Sequence, residues 1–196
     1  MLFRSDDFLR EHGRQASAVI SGIENYDGVI REESHLTTPE AMMLHRHFYH
    51  AVKSGIDYLT MEVSSQALKY DRTAGIVFDI GCFLNLGEDH ISPVEHPTLE
   101  DYRNSKMILM RQCRTAVINQ DSRYAVEAIK AAKDHAGKII TFGTSAQADI
   151  CGYAIQPQHD GIRFRAKGER FDEEMSIGLT APTRSEERRV GKECRS

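Results

Sequence analysis

The chain has 196 residues, 40% of them hydrophobic and 28% charged, a composition that supports one ordinary hydrophobic core and excludes collagen-like or disordered polymers. The formal net charge is −4, and the last thirteen residues carry five basic and three acidic side chains, which leaves −6 on the remainder. A mildly acidic body argues against nonspecific nucleic-acid binding, which is driven by neutralising phosphates. No run approaches the ~20 apolar residues that span a bilayer, and no apolar signal core follows the start, so no membrane is expected and the expected location is the cytoplasm. Cys82, Cys113, Cys151 and Cys194 lack CxxC spacing, which argues against a zinc ribbon or a disulfide framework.

Both ends read as foreign to the rest. The string CTCTTCCGATCT encodes LFRS, found at positions 2–5, and its reverse complement encodes RSEE, the start of RSEERRVGKECRS from Arg184 to Ser196. This is the pattern of a sequencing-library adapter translated in frame. Residues 1–5 and 184–196 are therefore expected to be scars without a fold, and residues 6–183 to be the domain.

Along that domain, Phe8 to Gly13 resembles the last turns of a helix stopped by Gly13, and Ala18 to Gly22 a short apolar strand. Thr38-Pro39-Glu40 predicts a helix start with Thr38 as N-cap and Pro39 at the first turn. Ala41, Leu44, Phe48, Ala51 and Val52 mark its apolar face, and Gly55 its stop. Tyr58 to Val63 predicts a buried strand running into Ser64-Ser65, then a short helix around Ala67, Leu68 and Tyr70. Ile76 to Leu84 predicts a second buried strand, with Asn85 at its carboxyl end. Helix Thr98 to Gln112, strand Thr115 to Asn119, helix Ser122 to Ala136 and strand Lys138 to Phe142 complete an alternation. The fold class is therefore α/β, a mostly parallel sheet flanked by helices. After Ile150 the segments become shorter and alternate in polarity, with a turn at Lys167-Gly168-Glu169, which predicts a small antiparallel ribbon.

Ligands of open parallel sheets gather at the carboxyl ends of strands. Glu62 and Ser64 fall at one such end, Asn85 to His90 at the next, and Asn119 to Asp121 at a third. Taken singly, most have a plain reading as well. Ser64 and Ser65 are equally suited to capping the following helix. His90 beside Asp89 is equally consistent with a hydrogen-bonded structural pair, and Arg72 and Lys106 with solvated charges. Glu62 is the stronger signal, because a carboxylate closing an apolar strand is costly to bury unpaired. His47 and His50 share a helix face with no third ligand at helical spacing, so a solvated face is expected there rather than a metal site.

Several motifs in a fixed order say more than any one. TTPEA at 37–41, MEVSSQAL at 61–68, Arg72, NLGEDH at 85–90 and Lys106 resemble the central domain of the Mur ligases, over about Asp6 to Pro182. The resemblance implies an ATP-dependent ligase of peptidoglycan synthesis that adds an amino acid to UDP-N-acetylmuramoyl-dipeptide through an acyl phosphate. It implies Glu62, His90 and Lys106 around Mg²⁺, with Lys106 carbamylated and Lys106 and His90 catalytic. It also implies Thr37, Thr38, Ser64 and Arg72 on the substrate; hydroxyls and a guanidinium suit carboxylate and phosphate oxygens. Asn119 and Asp121 match a weaker motif and carry no assigned role.

There are departures. The family's GxxGxGK[ST] phosphate loop is missing: Gly137-Lys138 is followed by Ile139, and Gly191-Lys192 lies in the terminal segment. Gln66 stands where many relatives have His, Tyr70 where some have Gln, and Ile91 to Pro97 is slightly long. No ATP turnover is expected from a chain without that loop. Two other readings stay open: a ligase resembling folylpolyglutamate synthetase, and a non-catalytic Mur-like module that binds a nucleotide sugar or a protein. The residues do not fix which amino acid is added.

Overall fold

The computed structural model describes residues 17–87, 91–159 and 161–178. The turns expected at Phe8 to Gly13, both terminal segments and His90 lie outside these residues.

Strands β1 (Ala18–Ile20), β2 (Glu24–Tyr26), β3 (Arg31–Glu33) and β4 (Leu59–Met61) form one sheet in the order β3-β2-β1-β4. β1 runs antiparallel to β2 and parallel to β4, joined to β4 through helix α1 (Ala41–Lys53). The β2–β3 hairpin carries no strong sequence signal, since its strands have three residues each and include five charged or amide side chains among ENY and REE. What fixes it is the turn. Asp27 Oδ1 accepts the backbone N–H of Val29 at 2.9 Å and of Ile30 at 2.7 Å, a side chain imitating a backbone turn. Gly28 follows at φ +88°, where a Cβ would also stand 2.5 Å from the Ser54 side chain.

The histidines of α1 depart from expectation. His47 and His50 do share a face, but it is the inward one: both Nδ1 atoms bond Asp27 Oδ2, at 2.7 and 2.9 Å. The expected solvated face is thus a buried clamp between α1 and the hairpin, while Val52, placed by periodicity on the apolar face, is 75% exposed. A buried carboxylate that needs two donors outweighs the local apolar pattern. Gly55 ends the helix as expected, at φ +69°.

The second sheet has the order β10-β9-β8-β7-β6-β5, built from β5 (Phe78–Phe83), β6 (Cys113–Asn119), β7 (Lys138–Gly143), β8 (Ile150–Gln158), β9 (Gly161–Gly168) and β10 (Phe171–Gly178). β5 to β8 pair in parallel, and β8, β9 and β10 antiparallel. The predicted ribbon therefore extends the main sheet, because β8 pairs with β7 at Phe142 and Gly143. Helix α3 (Leu99–Arg111) is capped by Thr98, whose side chain accepts the Asp101 N–H. Helix α4 (Ala125–Lys133) starts later than periodicity suggested. Its Ala125, Ala128 and Ala132 stripe lies in one core cluster with Ala116 and Ile118 of β6 and Met107 and Met110 of α3. Small side chains let α4 approach the sheet closely.

β5 is the main correction to the strand reading. It was expected to be buried on both faces, yet Ile80 is 63% exposed, and Asp79 and Cys82 are exposed as well. Among the described residues it has one neighbour, β6, and β4 has one neighbour, β1. The parallel strands are thus divided between two sheets, each ending on an open edge.

Burial alone would raise the Asp27 carboxyl, but the Ile30 N–H, the His47 ring, the Val29 N–H and the His50 ring outweigh it and hold it at about 2 against an ordinary 3.8. With the folded value below the unfolded one, this stabilisation is complete above about pH 4 and is lost as pH falls towards 2. It is worth about 2 kcal/mol at neutral pH. Replacing Asp27→Asn should lower stability at pH 7 by that order in urea unfolding and flatten the decline between pH 4 and 2; an unchanged acid slope would refute the assignment.

Candidate functional site

The carboxyl end of β4 runs directly into helix α2 (Ser65–Lys69), and three earlier residues lock this passage. The Glu62 N–H bonds Ile20 O at 2.8 Å, which carries the β1–β4 pairing one residue further. Glu62 Oε2 accepts the Gly22 N–H at 2.9 Å. A Cβ at Gly22 would stand 3.2 Å from Thr37 Oγ1 and 3.6 Å from Glu62 Oε2, so the Thr37 hydroxyl and the Glu62 carboxylate both close on this glycine.

Thr38 is not the helix N-cap that its sequence position suggests. The cap is Glu40, without a side-chain cap bond, and α1 begins at Ala41. The fully buried Thr38 hydroxyl works across the chain instead: it donates to Glu62 O and accepts the Ser64 N–H, both at 2.9 Å. Ser64 does cap α2, its side chain accepting the Ala67 N–H at 3.1 Å. Arg72 is far from the solvated default, with a side chain 16% exposed; it donates to Thr38 O at 3.2 Å and pairs with Glu40 at 2.8 Å. Thr37, Thr38, Glu62, Ser64 and Arg72 therefore meet at one strand end. The Glu40 pairing was not foreseen, because no spacing rule links positions so far apart in sequence.

A second polar rim lies at the carboxyl ends of β5, β6 and β7. Asn119 Nδ2 reaches Asn85 Oδ1 at 3.5 Å, the Asp121 N–H bonds Asn119 Oδ1 at 3.0 Å, and Asp121 Oδ2 accepts the Thr144 N–H at 2.7 Å. Lys106 stands half-buried on α3, its Nζ 6.0 Å from the centroid of the Tyr102 ring. His90 lies outside the described residues. Among the described residues no three His, Cys, Asp or Glu side chains converge with metal-ligand spacing.

The two halves of the molecule are joined by a chain of polar side chains that the sequence reading missed. Ser65 Oγ meets His96 Nε2 at 2.8 Å, His96 Nδ1 meets Asp101 Oδ2 at 2.7 Å, and Lys69 Nζ meets the same oxygen at 2.7 Å. The Lys69 ammonium and then the His96 ring hold the Asp101 carboxyl below the usual carboxylate range. His96 is wholly buried and Ser65 nearly so, and the arrangement ties α2 to α3 and to the loop before it. The only signal was His96 itself within ISPVEHP, and neither helical nor strand periodicity connects it to Ser65.

An α/β domain with hydroxyls, a carboxylate and a guanidinium gathered at one strand end, and amides and a carboxylate at the next, belongs to the class that places ligands over the carboxyl edge of a parallel sheet. The family is set by comparison: residues 6–181 match the Mur ligase middle domain, and the chain belongs to that family. It is 40% identical over 153 residues to the UDP-N-acetylmuramyl-tripeptide synthetase of Bifidobacterium longum, covering 73% of this chain and 29% of that protein. It is 35% identical over 152 residues to the UDP-N-acetylmuramoyl-L-alanyl-D-glutamate–L-lysine ligase of Enterococcus faecalis, covering 77% and 30%. The solved structure of a UDP-N-acetylmuramoyl-L-alanyl-D-glutamate–2,6-diaminopimelate ligase superposes with a TM-score of 0.76 at 26% identity, over 87% of this chain and 35% of that one. The chain thus spans roughly a third of the length of the relatives it matches.

Thr38→Val removes the bridging hydroxyl at nearly constant volume and strands the Ser64 N–H and Glu62 C=O. Chemical denaturation should show a loss of about 2 kcal/mol, and Thr38→Ser should recover most of it. Equal stability of the two variants would mean that the bridge holds nothing.

Proposed function

We propose that this chain is the substrate-facing and metal-facing part of an ATP-dependent ligase that adds an amino acid to UDP-N-acetylmuramoyl-dipeptide in peptidoglycan synthesis, and that it is inactive by itself. The observation that carries the reading is the convergence of Thr37, Thr38, Glu62, Ser64 and Arg72 at the end of β4. Bifidobacterium and Enterococcus relatives whose names specify muramoyl-peptide ligation support it.

In this reading Arg72 and the hydroxyls of Thr37, Thr38 and Ser64 orient the anionic substrate. The guanidinium is already aimed by its bond to Thr38 O, so a substrate carboxylate or phosphate would compete with Glu40 for its remaining donors. Glu62 fits a Mg²⁺ ligand: Oε2 takes one N–H bond, and Oε1 has no hydrogen-bond donor among the described residues. His90 and a carbamylated Lys106 would complete that shell. ATP, when bound, would donate its γ-phosphoryl group to the substrate carboxylate with release of ADP, and Mg²⁺ held by these residues would offset the charge on the phosphates. No helix among the described residues is long and apolar enough to cross a membrane, and a cytoplasmic enzyme is the location proposed.

The non-catalytic binding module has one observation in its favour, the missing GxxGxGK[ST] loop. In a phosphate-release assay with ATP, Mg²⁺, UDP-N-acetylmuramoyl-dipeptide and an amino acid, the chain should not exceed background. Turnover would overturn the claim of inactivity.

Binding tests the substrate assignment separately. Calorimetry with UDP-N-acetylmuramoyl-dipeptide should show Arg72→Ala weakening binding about tenfold or more, and Glu40→Gln strengthening it by releasing the guanidinium. Unchanged affinity in both variants would remove Arg72 from the site.

A further inference from the structure

We propose that the cavity between the β2–β3 hairpin and α1 binds a primary alkylammonium group. The cavity has a volume of about 140 Å³ and is lined by Asn25, Glu32, Leu36, Pro39, Met43 and His47, among others. Glu40, which also lines the cavity, is the Arg72 partner of the proposed substrate site; none of the other lining residues is in the set proposed to hold the muramoyl substrate or Mg²⁺.

Its polar side chains are Asn25, Glu32, His35, Glu40 and His47, and two of them offer oxygens without a Lys or Arg partner among the described residues. Asn25 is 5% exposed, and its Oδ1 is buried with no hydrogen-bond partner. Buried carbonyl oxygens are rarely left in that state, because the lost hydration is not replaced. His47 has committed Nδ1 to Asp27, and its Nε2 lies 3.9 Å from Glu32 Oε1, beyond hydrogen-bond length. Glu32 has no Lys or Arg ion-pair partner among the described residues, in contrast to Glu24, which Arg31 engages at 3.0 Å. Glu40, at the rim, is held by Arg72.

The opposite wall is apolar, formed by Leu36, Pro39 and Met43. The Glu32 carboxylate and the unpaired Asn25 carbonyl oxygen disfavour an anion, although His35 and His47 share the lining. A divalent metal is disfavoured, since no three suitable side chains converge there. A cation with several N–H donors on a short aliphatic stem matches both walls: the head takes the Asn25 oxygen and the Glu32 carboxylate, and the stem lies against Met43 and Leu36. Such a group comes either as a free amine or as the side chain of a lysine in a peptide.

The test is an amide correlation spectrum of the full chain, titrated with n-butylammonium chloride and, in parallel, with n-butanol and tetramethylammonium chloride. Saturable shifts of the Asn25 side-chain amide and the Leu36 and Met43 backbone amides are expected with butylammonium alone. Glu32→Gln, at a side chain 45% exposed and so tolerant of change, should weaken binding about tenfold while leaving the rest of the spectrum in place. Asn25→Leu should abolish it. Nα-acetyl-lysine amide distinguishes the sources: tighter binding than butylammonium identifies a peptide lysine, and equal binding a free amine. Absence of a saturable shift, equal shifts from n-butanol, or unchanged affinity in Glu32→Gln would each overturn the proposal and leave the cavity a hydrated gap.

Discussion

The hydroxyl of Thr38 holds together what would otherwise be a loose strand end. β4 has only three residues and among the described residues pairs with β1 alone, so its carboxyl end has little sheet to define it. One buried hydroxyl accepts from the Ser64 N–H and donates to the Glu62 carbonyl, and thereby fixes the backbone at both residues relative to the start of α1. Arg72, bonded to the carbonyl of the same threonine, is placed by that arrangement as well. Removing water from a hydroxyl is tolerable only when both its donor and its acceptor capacities are used, and here both are.

One buried polar cluster ties the first sheet to α1 and another joins the two halves of the molecule, and both are built on histidine. His47 and His50 converge on Asp27 to hold the hairpin to α1, and His96 links Ser65 to Asp101 to hold α2 to α3. Imidazole suits this work because it offers two polar edges on a flat ring that packs well. The apolar core is concentrated in the second sheet, around Met110, Ala116, Ile118 and Ala128. The first sheet, with short strands and charged outer residues, leans on its polar clamps correspondingly more. Among the described residues β4 and β5 each have one strand neighbour, and Ile80 of β5 faces solvent.

Much of the architecture could be read from residue order. The alternation of strands and helices after Thr98, the Ser64 cap, the stop at Gly55 and the antiparallel ribbon all depend on interactions between near neighbours, which local spacing records. The expectation of Thr37, Thr38, Ser64 and Arg72 on the substrate, and of Glu62, His90 and Lys106 on Mg²⁺, was available only because several motifs stood in family order. No single residue among them was distinctive. His90, expected beside the metal, lies outside the described residues, and Lys106 is found on α3 as expected.

The sequence by itself determined the class of most elements, the Ser64 cap, the Gly55 stop, the turn of the ribbon and the family, because these rest on periodicity, backbone preference and motif order. Tertiary structure alone decided which side of each element faces inward: that His47 is buried and Val52 exposed, that Thr38 bonds across to β4, and that Ile80 lies on an open edge. It also decided that Glu40 claims Arg72 and that His96 joins Ser65 to Asp101. Apart from His96–Asp101, five positions apart, these pairings span 20 to 32 positions and arise from the desolvation of polar groups that must find any partner within reach. That requirement is set by three-dimensional proximity, on which the linear order is silent.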